Sequence, residues 1–345
     1  MLTLVTGASG HLGATLVRHL LARGHRVRAL IHAQSIALEG LPIERVHGDI
    51  LDRASLDPAF DGVEAVFHLA ATISLIKSDA ERVMRTNTLG PEHVVDACLA
   101  HKVRRLVHYS SVHAFLPHGP GGVTDEERPP NLNPRAPAYD RSKALGQQIV
   151  QEAVRTRGLD AVVVNPVGVL GPWDFAPHLG NRAILDLGLG LLPSLAGGGF
   201  DWVDARDVSD GAIAALERGR TGESYLLSGT WKSVTELAAL VEGETGTKAP
   251  RFTAPLWLAR IGVPFAAGYA KLKRTQPLFT MASLRALEEH RSCSNEKARA
   301  ELGYTPRPTS ETVRDSFTFF RAVGLFERGA REGRPHPGEI TFGAP

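Results

Sequence analysis

Tyr139 and Lys143, in the run Tyr139-Asp140-Arg141-Ser142-Lys143, stand four residues apart, the spacing that puts two side chains on one face of a helix. An ammonium beside a phenol favours the phenolate. The pair is therefore expected to lower the Tyr139 pKa towards the working range and make it a general acid in reduction or a general base in oxidation. Upstream, Leu106-Val107-His108-Tyr109-Ser110-Ser111 ends an apolar run in two hydroxyls, and Ser111 is placed to hold a substrate carbonyl by a hydrogen bond. These residues move protons. A carrier of electrons would come from Thr6-Gly7-Ala8-Ser9-Gly10-His11-Leu12-Gly13, which follows a β-branched run at Leu2 to Val5 and leads into a helix-period segment. That is the strand, glycine turn and helix of a dinucleotide site. Gly7 suits the tight turn, Gly10 a close approach of backbone to pyrophosphate, and Gly13 close packing of helix on strand. With Ser9, His11 and Leu12, the turn would present the pyrophosphate to the positive helix N-terminus.

The elements that must position these groups follow from periodicity, which predicts strands near 2–6, 26–31, 43–47, 63–69, 104–110 and 160–165. Helical patterns near 11–23, 78–101 and 138–157 separate them. The fold class is α/β, a Rossmann-type doubly wound parallel sheet with a smaller C-terminal substrate lobe. Residues 1–166 form the dinucleotide-binding domain, with further sheet segments from about 200–230; 167–328 are mostly substrate lobe and 329–345 a tail. The proline-rich stretch from His118 to Pro137 reads as an irregular surface loop of the length of a lid.

The chain has 345 residues, 43% of them hydrophobic, enough for a large core. A formal charge of +2 without a long Lys/Arg run points to neither nucleic acid nor an anionic membrane. Cys98 and Cys293 are the only cysteines and lack metal-site spacing, so neither a disulfide framework nor a metal is expected. Strand one begins at Leu2, which leaves no room for a secretion signal and suggests the cytoplasm. The apolar stretch from Ala254 to Ala270 is broken by Pro255, Arg260 and Pro264 and reads as a buried or pocket-covering helix, not a membrane span, with interfacial membrane contact the lesser alternative.

Taken together these motifs resemble the extended short-chain dehydrogenase/reductase family, which holds sugar-nucleotide epimerases, dihydroflavonol reductases and 3β-hydroxysteroid dehydrogenases. The likeness continues through Gly48-Asp49-Ile50, His68-Leu69-Ala70-Ala71, Thr86-Asn87-Thr88-Leu89-Gly90, Asn165-Pro166-Val167-Gly168, Trp202-Val203-Asp204-Ala205-Arg206-Asp207 and Lys297 to Tyr304. The resemblance implies that Asp49, with Ile50, meets the adenine, that Leu69, Ala70 and Ala71 line the nicotinamide ribose, and that Asn87 lies near the cofactor. It also implies that Pro166 and Val167 present backbone to the carboxamide and that Lys143 binds the ribose hydroxyls. A homodimer through the helices near 78–101 and 138–157 is the assembly it suggests.

Within that family, strand two carries Ile31 where NAD enzymes have an acid for the ribose hydroxyls, followed by His32, with Arg28 nearby. NADP is the expected cofactor, with NAD possible. Val112-His113-Ala114 after Ser111 lacks the Asp-Glu pair of the dehydratases. Trp173, Phe175, Leu191, Leu192, Phe200, Trp257 and Phe265 suggest an apolar substrate pocket, while Arg182 and Arg206 could still serve a diphosphate. Thr72, His113, Asn165 and Trp173 are the candidate substrate contacts. His68 reads as a hydrogen-bonded strand-end histidine; His113 and His118 could meet substrate or sit on the loop surface. The reading is a dihydroflavonol-reductase-like carbonyl reductase acting on a small molecule. A nucleotide-sugar epimerase with tightly held NAD, and a cofactor-sensing protein without turnover, are the alternatives.

Overall fold

A computed structural model describes residues 1–32, 35–74, 76–118, 122–263, 280–288 and 292–326. Seven parallel strands form the main sheet: β1 (Leu2–Thr6), β2 (Arg26–Ile31), β3 (Glu44–His47), β4 (Ala65–His68), β5 (Arg105–Tyr109), β6 (Ala161–Pro166) and β10 (Ser224–Leu227), in the order β10-β6-β5-β4-β1-β2-β3. The chain winds outwards through β1, β2 and β3, then returns to place β4 on the other side of β1. The gap between the β1 and β4 loops is the switch point at which doubly wound sheets bind ligands.

Alternate side chains along β1, β4, β5 and β6 feed two cores, which is why these strands read as continuous apolar runs. Val5, Phe67, Val107 and Val164 face one layer with α1 (His11–Ala22) and α6 (Ala205–Arg218). Leu4, Val66, Leu106 and Val163 face the other, with α2 (Asp57–Phe60), α3 (Ala80–Ala100) and α4 (Ala138–Arg157). The predicted strands and helices of the first half all form, within about two residues at each end.

After Pro166 a second, smaller apolar cluster gathers α5 (Leu179–Gly188), α7 (Val234–Thr245) and α11 (Thr309–Ala322) around Trp173, Leu185, Leu237, Phe317 and Phe320. Beside it lies the three-stranded sheet β11-β9-β7, made of β7 (Gly168–Leu170), β9 (Gly199–Asp204) and β11 (Thr230–Ser233). A short pair joins β8 (Leu195–Ala196) to β12 (Thr253–Ala254). Residues 256–263 are helical (α8), followed among the described residues by α9 (Met281–Ala286) and α10 (Glu296–Leu302).

Two expectations change here. In the proline-rich loop Thr124 is buried and bridges to Cys293, and the Glu126 carboxylate accepts from the Leu226 amide at 2.7 Å, so this part of the loop is pinned to the sheet and is not a free lid. In the stretch from Ala254 to Ala270, Ala254 is buried but Trp257, Leu258 and Ile261 face solvent, contrary to the expected buried helix. Residues 264–270, Phe265 among them, and the tail from 327 lie outside the described residues.

Candidate active site

The carboxyl ends of β1, β4 and β5 bring the predicted residues to one edge. Gly7 has φ of +71°, and a Cβ there would lie 2.6 Å from the Ala70 amide nitrogen, so the turn after β1 closes against the loop after β4. A Cβ on Gly13 would meet the Gly7 carbonyl oxygen at 2.2 Å, which is the close helix packing expected of it. Around Gly10 the nearest protein atom to such a Cβ is the Gly7 oxygen at 3.5 Å, leaving room on the outer face. The N-terminus of α1 has no side-chain cap and no acid in its first turn. A cradle with open space, free helix-end amides and no opposing carboxylate fits a dinucleotide pyrophosphate. The His11 side chain turns away from the cradle: its Nε2 meets the Pro172 carbonyl at 2.9 Å and its Nδ1 lies 3.8 Å from Asp174.

At the adenine end, Asp49 is half exposed, accepts from the Leu51 amide and lies 3.9 Å from His32 Nε2, which is itself well exposed at the end of β2. The Ile50 side chain packs into the core, so of this pair only Asp49 is open to a ligand. Arg28 is not available to a phosphate. Its guanidinium is spent on Glu44 and on the carbonyls of Ala59 and Asp61.

At the other end, Asn87 on α3 clamps Thr72 through both backbone groups, at 2.8 and 3.0 Å, and donates to Ser142 Oγ at 2.9 Å. Ser142 in turn donates to the Tyr139 carbonyl. The loop of Leu69, Ala70 and Ala71 is thereby tied to the helix that carries Tyr139 and Lys143. Asn165 is fully buried and donates to the Ser111 carbonyl at 3.0 Å and to Gln147 at 2.9 Å, so it holds Ser111 from behind instead of touching substrate as expected. Pro166 ends β6 alongside it and Val167 follows, both buried.

Ser111 leaves β5 in extended backbone, and its Oγ accepts from the His113 amide. Burial pushes the Tyr139 phenol up to about 12, opposed by a hydrogen bond with Ser111. The lysine does not depress it: Lys143 Nζ donates to the Tyr109 carbonyl at 2.6 Å, and burial lowers its own pKa to about 8. The expected ammonium-to-phenol effect is therefore replaced by a lysine anchored to strand β5. His113 packs edge-on against Tyr139 (ring centroids 5.8 Å apart) and lies flat against Phe200 (6.1 Å), with Nδ1 3.6 Å from the Asp140 carboxylate.

His68 sits under this edge, its Nδ1 2.7 Å from Thr6 Oγ1 and its ring 5.3 Å from that of His108. Burial drives both well below the ordinary histidine range, His68 to about 3, with Lys143 adding to the effect. Both rings are neutral parts of the sheet.

Trp173 is buried at φ of +63° and Phe200 is buried, whereas Leu191 and Trp257 are exposed, so the apolar candidates do not form one wall. Arg206 is buried between Asp204 (2.7 Å) and Asp315 (2.7 Å), and Arg182 pairs with Asp186 at 2.8 Å; the first is closed to a diphosphate and the second already engaged. Sequence reading missed the Asp140 partner of His113, the Tyr109 carbonyl under Lys143 and the carboxylates around Arg206. Only Asp204 carried a signal, as a helix-capping residue ahead of an apolar run.

A family model described as "NAD dependent epimerase/dehydratase family" matches residues 3–228. Sterol demethylase protein B of Methylococcus capsulatus is 38% identical over 339 residues, covering 94% of this chain and 100% of that one. A putative dihydroflavonol 4-reductase of Synechocystis is 33% identical over 331 residues, 93% of this chain and 94% of its own. The crystal structure of gox2253 matches with a TM-score of 0.83 at 32% identity, covering 94% of this chain and 99% of that one. With the glycine cradle at the switch point and Ser111, Tyr139 and Lys143 at the neighbouring strand edge, the chain belongs to the NAD dependent epimerase/dehydratase family of extended short-chain dehydrogenases/reductases, on its dihydroflavonol-reductase-like side.

Proposed function

We propose that this chain is an NADP-dependent reductase or dehydrogenase acting on a carbonyl or carbinol carbon of a small apolar substrate. The observation that carries the reading is the meeting of Ser111, Tyr139 and Lys143 at the β5 edge, beside the cradle after β1. A bound nicotinamide supplies the hydride. The chain supplies everything else. Ser9, Gly10 and the first turn of α1 take the pyrophosphate, Asp49 the adenine, and Leu69 to Ala71 with Pro166 and Val167 the nicotinamide end. Lys143 holds the ribose hydroxyls. Ser111 holds the substrate oxygen, and Tyr139 hands it a proton in reduction or removes one in oxidation. A phenol held near 12 carries its proton at neutral pH, which suits the reductive direction.

NADP is favoured because Ile31 puts no carboxylate against a 2′-phosphate and the exposed His32 can reach one. An apolar substrate is favoured by Phe200 and His113 beside Tyr139 and by the engaged arginines. The relatives' names, a sterol demethylase and a dihydroflavonol reductase, point towards a ring alcohol or ketone. A homodimer through the outer faces of α3 and α4, where Leu145 and Ile149 are only partly covered, is the assembly we infer.

The test is to strip the purified protein of nucleotide, titrate NADPH and NADH separately, then screen ring ketones and alcohols, sterols included. Tighter NADPH binding is expected. Turnover should fall about 10²–10⁴-fold in Tyr139→Phe with NADPH affinity kept. A fully active variant would overturn the assignment, and NAD released only on denaturation would redirect the search to nucleotide sugars.

A further inference from the structure

His11 belongs to the nucleotide cradle through its backbone, yet its side chain leaves it. As the first residue of α1 it supplies one of the free helix-end amides, while the largely buried ring reaches the turn that follows β7. That turn, Gly171 to Asp174, opens the second lobe. Nε2 lies 2.9 Å from the Pro172 carbonyl and Nδ1 3.8 Å from the buried Asp174 carboxylate.

A carbonyl oxygen only accepts, so Nε2 carries the proton of the neutral ring. Nδ1 then turns its lone pair towards the Asp174 carboxylate, and two acceptors face each other. A second proton, on Nδ1, makes the same contact a charge-assisted one. Asp174 is ready for it. Burial raises its carboxyl, but His11 and the hydrogen bonds from His178 more than offset this and hold it below the usual carboxylate range, so it stays ionised.

Other charges near this contact, among the described residues, are already engaged. On α1, the Arg18 guanidinium lies over the Trp173 and Phe175 rings at 5.6 and 5.7 Å, and His19 pairs with Asp210 of α6. Asp204, next to Gly171, is held by Arg206. His178, well exposed, has its Nδ1 3.5 Å from Asp174.

The turn forms one unit with α5. Asn181 clamps both backbone groups of Gly171, at 3.2 and 2.9 Å, and donates to Asp174 at 3.1 Å, while Trp173 is held at φ of +63°, where a bulky side chain is strained. Just before the turn, β7 pairs with β9, whose Phe200 lies against His113 beside Tyr139. We propose that His11 is a positioning residue coupling nucleotide to the second lobe: a pyrophosphate on the α1 amides favours the second proton on its ring, and the imidazolium draws the Asp174 turn onto α1. Nucleotide and proton then bind cooperatively, each strengthening the other by the same factor. The inference rests on the pyrophosphate lying in the cradle, and on neither the substrate nor the choice between NADP and NAD.

The full-length protein, stripped of nucleotide, is titrated calorimetrically with NADPH and with NADH in two buffers of different ionisation heat, which counts the protons taken up on binding. The same titrations on His11→Gln, which keeps a donor for Pro172 but has no second proton to gain, subtract the nucleotide's own protons. Wild type is expected to take up more protons than His11→Gln, and its affinity advantage should shrink by about threefold or more between about pH 6 and pH 8. Asp174→Asn should lose the extra uptake as well, and His178→Gln should keep it. Amide exchange across 171–181 should slow on nucleotide binding in wild type and much less in His11→Gln. Equal uptake by wild type and His11→Gln, uptake lost in His178→Gln instead, or nucleotide binding without slower exchange overturns the proposal. Absence of binding heat with either nucleotide removes the cradle itself and this coupling with it, a failure read before any proton is counted.

Discussion

Lys143 Nζ donates to the backbone carbonyl of Tyr109 at 2.6 Å, joining the second turn of α4 to the last residue of β5. The lysine is thus fixed by the fold independently of the phenol it was expected to serve. Its pKa, lowered by burial to about 8, ties its protonation to stability. The unfolded chain, with lysine near 10.4, binds more protons than the folded one between about pH 8 and 10.4. Wild-type stability should therefore rise in that window relative to Lys143→Met, by up to about 1.4 kcal/mol per pH unit, and denaturant midpoints of the two proteins across the window check it. The variant should also lose turnover. Parallel stability curves would mean that folding does not lower the lysine pKa.

The last two glycines of the cradle should fail in different ways. In Gly13→Ala the new methyl lands 2.2 Å from the Gly7 carbonyl oxygen, so the turn must shift and both melting temperature and NADPH affinity should drop. In Gly10→Ala the nearest protein atom is 3.5 Å away and φ is −77°, so folding should be nearly unaffected while nucleotide affinity falls by about tenfold or more. Thermal melts and nucleotide titrations of the two variants separate the effects; equal affinity in Gly10→Ala would remove the cradle from the cofactor site.

His68 and His108 give the protein a built-in acid sensitivity. Burial holds both below the ordinary histidine value of about 6.5, so the unfolded chain takes up protons first as the pH falls. Each therefore contributes stability above about pH 6.5 that is lost as pH falls below it, at about 1.4 kcal/mol per unit for each ring; for His68 the loss extends towards pH 3. His108→Leu should flatten the curve below pH 6.5, read from urea midpoints, since His108 Nδ1 has no partner among the described residues to lose. An unchanged slope would show that other groups control acid unfolding.

Removing Arg206 should destabilise the second lobe without touching the chemistry. The guanidinium lies buried between Asp204 and Asp315, and Arg206→Met would leave the buried Asp204 with only Arg307, 3.9 Å away, and Asp315 with only Arg314. A loss of about 3–5 kcal/mol is expected at neutral pH, measured by chemical unfolding, with NADPH affinity retained in the folded fraction. A change confined to substrate affinity would instead return Arg206 to the binding site.

The cradle and the alternation of strands and helices were legible in the sequence because both rest on local rules. A β-branched run buried on both faces, a turn that needs glycine, and a helix with four-residue spacing each announce themselves within a dozen residues. Ser111, Tyr139 and Lys143 could be placed at one edge for the same reason: each sits at a fixed offset from the end of a regular element, and the sheet brings those ends together. What the side chains do at that edge was decided by tertiary structure. Whether Lys143 meets a phenol or a carbonyl, and whether Asn165 faces a ligand or backs Ser111, depends on contacts between residues tens of positions apart, and burial then sets the pKa values. The same is true of Arg206, whose partner Asp315 comes from α11, and of Trp257, whose apolar character alone cannot say whether a helix turns it inwards or out. Residue type and spacing fix which chemistry is possible; packing over long separations fixes which groups are free to perform it.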